Sequence, residues 1–331
     1  MSQTIVVPVE VDADGGVNLM SLEALTFARR LGSSLHAVVV ARTGKPSSEE
    51  IAQLGEQGVS TVHVVDDERL SSYAPAGWAA AIVSVVRSAA ADTVLASGTP
   101  RGMELLAHVA VRLDVAMAAN VVAIESADPL VVTRQVVGGT ALEDTALGSS
   151  LGDAVAVLTV AGHACDPAKA ESATSPSVEV AALELTDADL RARVARTEQG
   201  EPDQSGALKG ARVVVGAGRG AGSSDGFGDL EELTRLLGGA LGVSRVVTSL
   251  GWRPHHEQVG QTGSRVSPDL YVACGISGAI QHWSGMSSSK TIVAINTDPD
   301  APMVTKAHYA VIGDLHKIVP AVIEEIRRRR G

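Results

Sequence analysis

Residues 267–282, SPDLYVACGISGAIQH, run from a Ser-Pro-Asp turn through five apolar-rich positions into a glycine-serine-glycine loop. The segment LYVAC is too short for an amphipathic helix and does not alternate polar with apolar, which predicts a strand buried on both faces. The loop after it then lies at the carboxyl end of a parallel strand, where open α/β sheets bind ligands. Ser277 is expected to cap a helix over 277–286, and Gly278 to let a ligand approach that helix's free N–H groups. His282 falls one to one-and-a-half turns in, as a ligand group or as a histidine bonded within the packing.

The same rhythm extends in both directions. From Arg212 come RVVVG, a helix over about 227–241 capped by Ser224 or Asp225, SRVVTS, LYVACG, KTIVAIN, YAVIG and a last helix. Five strands with helices between them predict a doubly wound parallel domain over 211–331. The final helix carries Leu315, Ile318, Val319, Val322, Ile323 and Ile326 on one face, and its terminal arginines complement the helix dipole. Upstream, TIVVPVEV, SLEALTFARRLG, HAVVVA and VHVV start a second βαβ series, with a helix over 74–90, the strand TVLASG and a helix carrying Leu105, Leu106, Val109 and Leu113. NVVAI, LVVTRQVVGG and AVAVLTV follow without long helices, which predicts an antiparallel edge. The chain is thus read as α/β with two domains, each a mainly parallel sheet flanked by helices: 1–163, an acidic connector with one edge strand over 164–210, and 211–331.

Composition narrows the function. With 331 residues, 45% of them apolar, the chain can bury two cores, and a net charge of -11 argues against nucleic acid as a partner. Cys165 and Cys274 make no disulfide framework or zinc motif. No apolar run is long enough for membrane insertion and no leader-like start is present, so a cytoplasmic protein is expected.

Three loops carry the candidate chemistry. GAGRGAGSSDGF fits GxGxxA through Gly216, Gly218 and Ala221, which raises an NAD-dependent dehydrogenase. Against it, helix periodicity waits until Phe227 and no acidic residue ends the second strand. VGQTG, 259–263, reads as a loop with two glycines and polar tips. Arg245, taken as the start of an apolar strand, needs a partner. No nucleophile with its base, paired carboxylates or metal-ligand cluster emerges, so the set suits holding a cofactor. A non-redox adenine-nucleotide-binding module remains open on the residues alone.

VVVGAGRGAGSSDGF, LGVSRVVTSLGW, QVGQTG, SPDLYVACGISGAIQHWSGM, SKTIVAINTDPDAP and HYAVIGDLHKIVP, in this order over nearly all of 212–320, closely resemble the FAD-binding domain of the electron transfer flavoprotein alpha subunit. The first domain resembles that family only in rhythm. The resemblance implies FAD as cofactor, with Arg219, Asn296, Asp314 and Leu315 on the adenylate and pyrophosphate side. It implies Ser244 and Arg245 at the isoalloxazine, and Val259, Gly260, Gln261 and Thr262 beside the ring, Thr262 near N5. Ser277, Gly278, Ala279, Ile280, Gln281 and His282 would hold phosphate and ribityl groups, with the imidazole near the pyrimidine carbonyl. It further implies a redox carrier rather than an enzyme with its own substrate. That carrier would be a heterodimer with a beta subunit, loaded by a flavoprotein dehydrogenase, typically an acyl-CoA dehydrogenase of fatty acid β-oxidation, and unloaded to a quinone-linked acceptor. The family commonly has Lys directly after QTG; this chain has Ser264 and then Arg265.

Overall fold

The computed structural model describes residues 3–12, 15–32, 34–40, 46–139, 141–148, 155–162, 164–196 and 205–330. They form two compact units, Met1–Val136 with Ala141–Glu198 and Val137–Thr140 with Gln199–Gly331. Both are α/β, each built on a largely parallel sheet with helices on its faces. Among the described residues, no helix is long and apolar enough to cross a membrane.

In the first unit the chain runs β1 (Thr4–Pro8), α1 (Leu19–Ala28), β2 (Ser34–Val40), α2 (Ser48–Glu56), β3 (Thr61–Val65), α3 (Pro75–Ser88), β4 (Thr93–Ser97) and α4 (Pro100–Leu113). It continues through β5 (Met117–Ala127), β6 (Leu130–Val136), β7 (Ala141–Ala146), β8 (Ala156–Val160) and β9 (Ser177–Val180). The strand order is β7-β6-β5-β8-β4-β1-β2-β3-β9. The antiparallel edge is β5, β6 and β7, while β8 returns between β5 and β4 as a parallel strand. Strand alternation sends Ile5 and Val7 toward α1 residues Leu25 and Phe27, and Val6 toward Ile82 of α3 and Leu106 of α4.

Of the acidic segment 164–210, residues 197–204 lie outside the described residues. The part before them, read above as a connector, is built into the first unit. Cys165 is buried in one core, β9 extends the sheet by pairing in parallel with β3, and Leu183 and Leu185 pack on the other core.

The order of the strands reverses between β1 and β4, and the space outside their carboxyl ends is only about 20 Å³. Glu10 occupies it. Its carboxylate accepts from Ser97 Oγ at 3.2 Å and from the hydroxyl of Thr99, the residue that caps α4.

The second unit runs α5 (Ser205–Gly210), β10 (Val213–Ala217), α6 (Gly228–Leu237), β11 (Ala240–Val243), α7 (Arg245–Ser249), β12 (Leu270–Cys274), α8 (Ile280–Trp283), β13 (Thr291–Asn296), α9 (Pro302–Lys306), β14 (Tyr309–Ile312) and α10 (Leu315–Arg330). Its strand order, β11-β10-β12-β13-β14, is parallel throughout and reverses between β10 and β12. The helices α6 and α10 cover one face through Phe227, Leu230, Leu233, Val319 and Ile323, and Leu208, Trp283, Met286 and Met303 cover the other.

Three local expectations are corrected. SRVVTS is not a strand: the second strand is ALGV, and residues 245–249 are α7. The register explains it. Val243 pairs with Ala217 and the Ser244 N–H still bonds Ala217 O at 3.0 Å, but there β10 turns away into the glycine loop. Residues beyond it have no strand to bond, so the backbone satisfies itself in a helical turn despite its β-branched side chains. Helix α6 begins at Gly228 behind Phe227 and stops at Gly238 in the left-handed region, so neither Ser224 nor Asp225 caps it and Leu241 lies on β11. The helix expected over 277–286 is the single turn α8, preceded by Ala279 with no side-chain cap. Ser277 instead accepts the Met303 N–H at its carbonyl, 3.1 Å.

Candidate functional site

A cleft of about 710 Å³ opens at the reversal point of the second unit, outside the ends of β10 and β12. This volume falls in the range of small-molecule and cofactor sites, roughly 300–1,000 Å³. Two loops close its floor. The Gly218 N–H bonds Cys274 O at 2.9 Å and the Gly220 N–H bonds Gly275 O at 3.1 Å, so backbone lies on backbone. Gly275 is the pivot: its φ is +61°, and a Cβ there would stand 2.6 Å from Gly220 Cα and 2.8 Å from Leu315 Cδ2. Only glycine joins that dihedral to so close an approach.

Of the residues expected at a cofactor, Arg219, Ser244, Arg245, Ser277, Ala279, Gln281, His282, Asn296, Asp314 and Leu315 line this cleft. Gly278 and Ile280 do not. The open side of Gly278 is filled by the α9 backbone, where a Cβ would overlap Met303 N, and Ile280 is 71% exposed. Val259, Gly260, Gln261 and Thr262 form a separate tight loop against α8. The Val259 N–H bonds Val243 O, the Gly260 N–H bonds Ser264 O, and the Gln261 N–H bonds Gln281 O at 2.7 Å. Ser264 is buried where it closes this loop, so the position that commonly carries Lys in the family is internal here, while Arg265 is exposed.

Since α7 is a helix, Arg245 is an exposed side chain on the cleft wall, and no burial cost demands a partner for it. Neither Arg219 nor Arg245 makes an ion pair among the described residues, so both guanidinium groups remain available to a ligand. Asn296 ties the floor together, donating from Nδ2 to Ile276 O at 3.0 Å and accepting the Asp298 N–H at 3.1 Å. Asp314 Oδ1 accepts the His316 N–H at 3.0 Å, capping α10. A carboxylate so placed accepts hydroxyls and repels phosphates.

His282 is buried, and its Nε2 lies 2.9 Å from the hydroxyl of Tyr271. Burial pushes its pKa down to about 4, the Val259 backbone acting the other way, so the imidazole is neutral at pH 7. Tyr271 itself is fully buried, and Gly216 makes room for it: a Cβ at Gly216 would overlap the phenol oxygen. The first glycine of the apparent GxGxxA pattern therefore serves a tyrosine on the far side of the sheet, not a phosphate.

One buried polar atom in a residue of the cleft, Ser244 Oγ, has no partner within the protein, while the remaining ring nitrogen of His282 faces the Val259 backbone. Buried polar groups are rarely left unbonded, so Ser244 Oγ marks where a ligand or water completes the site. Among the described residues no cluster of His, Cys, Asp or Glu could hold a metal ion. Sequence reasoning put Gly275 at the ligand-binding end of its strand but not as the pivot, and it missed Tyr271 and Gln258; these roles depend on contacts between segments far apart in the chain.

An open cleft at the reversal point of a parallel sheet, floored by glycine backbone and walled by two free guanidinium groups, defines a nucleotide-cofactor-binding α/β protein. Residues 207–287 match the model of the electron transfer flavoprotein FAD-binding domain, and residues 5–186 that of the electron transfer flavoprotein domain. The chain is 35% identical over 319 residues to the electron transfer flavoprotein subunit alpha of Mycobacterium leprae, covering 96% of each. It is 33% identical over 321 residues to that of Thermoanaerobacterium thermosaccharolyticum, covering 95% of each, and 31% identical over 331 residues to that of Bacillus subtilis, covering 99% of this chain and 98% of the relative. The chain belongs to the electron transfer flavoprotein alpha subunit family, and its cofactor is FAD. The residues present fit that group: the cleft offers cations, a hydroxyl-accepting carboxylate and a buried hydroxyl, Ser244 Oγ, that lacks a partner.

Proposed function

We propose that this chain is the FAD-holding half of a heterodimeric carrier completed by a beta subunit, taking electrons from flavoprotein dehydrogenases, acyl-CoA dehydrogenases foremost, and delivering them to a quinone-linked acceptor in the cytoplasm. The observation that carries this reading is the pair of unpaired arginines on a cleft whose remaining groups bind and orient but include no activated nucleophile or proton-transfer pair. Bound FAD supplies one- and two-electron transfer. Arg219 beside the glycine floor is assigned to the pyrophosphate, Asp314 to ribose hydroxyls, and Asn296 and Leu315 to the adenosine side. Ser244 and Arg245 are assigned to the ring, with the Val259–Thr262 loop along its edge. Ser277, Ala279 and Gln281 are assigned to the ribityl and phosphate groups. His282 contributes a neutral dipole, so the positive charge opposing a reduced flavin comes from Arg245.

Purification after co-expression with the beta subunit tests the reading. A yellow complex with flavin absorbance that is bleached by an acyl-CoA dehydrogenase and its substrate is the expected result. A colourless chain retaining AMP or ADP would favour a non-redox nucleotide module instead.

Arg245→Ala should lower the first one-electron potential of the flavin. A charge-assisted hydrogen bond is worth roughly 1.5–3 kcal/mol, or about 60–130 mV for one electron. Arg219→Ala, at the phosphates, should weaken FAD binding and leave that potential in place. Spectroelectrochemical titration of both variants distinguishes them, and an unmoved first couple in Arg245→Ala would remove that residue from the ring.

A further inference from the structure

The loop that carries Thr262 begins with a polar side chain that no role above uses. Gln258 is 2% exposed. Its Oε1 accepts from Thr248 Oγ1 at 2.7 Å, sharing that proton with Arg245 O at 2.9 Å, and its Nε2 donates to Thr262 Oγ1 at 3.0 Å. The backbone is pinned as well: Gln258 N–H bonds His255 O at 3.0 Å, and Gln258 O accepts the Ser264 N–H at 2.7 Å. A buried amide held at both ends and along its backbone is a fixed dipole.

The direction of the Thr262 bond has a chemical consequence. A threonine hydroxyl has one proton and two lone pairs. With the Gln258 N–H on a lone pair, the proton of Thr262 remains, and among the described residues its hydroxyl has no other hydrogen bond. Thr262 is exposed, so that proton is directed to whatever lies against the loop.

We propose that Gln258 is a positioning residue that holds the Thr262 hydroxyl as an outward-facing donor to a ring nitrogen of bound FAD. The inference rests on the reading that Thr262 stands beside the ring. It assigns a task to a buried glutamine at the start of the loop, and it makes Thr248, which meets the other end of the amide, part of the same chain.

Substitution of the amide by a carboxylate is the decisive change. Gln258→Glu keeps shape and acceptors but has no N–H, so it must take the proton of Thr262 and turn the hydroxyl inward. Gln258→Met removes the amide without adding charge and serves if the glutamate variant does not fold. The experiment uses the alpha-beta complex loaded with uniformly 15N-labelled FAD. Thr262→Ala and Gln258→Glu should shift the same ring nitrogen in the same direction, with Gln258→Met shifting it less. Each should speed FAD loss by about fivefold, the size of one neutral hydrogen bond. The Thr262→Ala, Gln258→Glu double variant should add nothing further. If Thr262→Ala moves a ring nitrogen and the folded Gln258 variants do not, Thr262 stays at the ring and the role of Gln258 is overturned. If Thr262→Ala moves none, the placement of the loop beside the ring fails, and the proposal fails with it.

Discussion

Gly275→Ala should weaken FAD binding by about 100-fold in the alpha-beta complex. A left-handed dihedral costs an alanine ~1–2 kcal/mol, and forcing a methyl into packed atoms costs a further ~1–3 kcal/mol. The new Cβ would sit 2.6 Å from Gly220 Cα, a backbone atom of the opposite loop, so relief requires the cleft floor itself to separate. About 3 kcal/mol then falls on the geometry that receives the cofactor, or two orders of magnitude in Kd. Gly228→Ala is the control: nothing lies within 4 Å of its added methyl, and binding should not change. Calorimetric titration of stripped complex with FAD checks both. A Gly275→Ala protein that binds within threefold of the parent would show that the two loops are free to part.

The second unit should lose stability in mild acid through His282. Its folded pKa is lowered from the ordinary 6.5 to about 4, chiefly by burial. Between those values the unfolded chain binds the extra proton, so the free energy of unfolding rises with pH across the window. The contribution is complete above the unfolded value, falls as pH drops below 6.5, and is gone near pH 4. At about 1.4 kcal/mol per pH unit, the loss reaches about 3 kcal/mol. Hydrogen exchange of the β12 amides, beside the imidazole, reads it locally. His282→Asn should flatten the pH dependence; an equally steep profile in that variant would trace the loss to other groups. The first unit holds a parallel case in His36 and His63, whose ring nitrogens lie 2.9 Å apart and whose pKa values burial also lowers. Its stability should fall in the same direction as the medium is acidified.

The architecture was legible because parallel sheets write themselves as short apolar runs between helical periods. LYVAC, TIVAIN and VHVV declared their strands with no outside help. The misreading of SRVVTS shows the limit of that signal. Val246, Val247 and Thr248 favour strand locally, but β10 ends at Ala217, and the partner's length is not written in the segment it pairs with. The site divides in the same way. Arg219, Arg245, Asn296 and Asp314 are found from resemblance because their spacing around the loops is distinctive, and they line one cleft. Gly216 looked like part of a phosphate fingerprint, yet it faces Tyr271, a residue 55 positions along the chain that pairs into the neighbouring strand. Gln258 is not legible in the sequence, since an isolated glutamine has no pattern to betray that both ends of its amide are held.

Glu10 shows how one fold can be used twice with different outcomes. The Glu10 carboxylate lies at the capped start of α4, held by the Ser97 and Thr99 hydroxyls, while the Gly102 N–H of the helix is taken by Thr99 Oγ1. Among the described residues, the reversal point of the first unit is thus lined by a carboxylate of the chain itself.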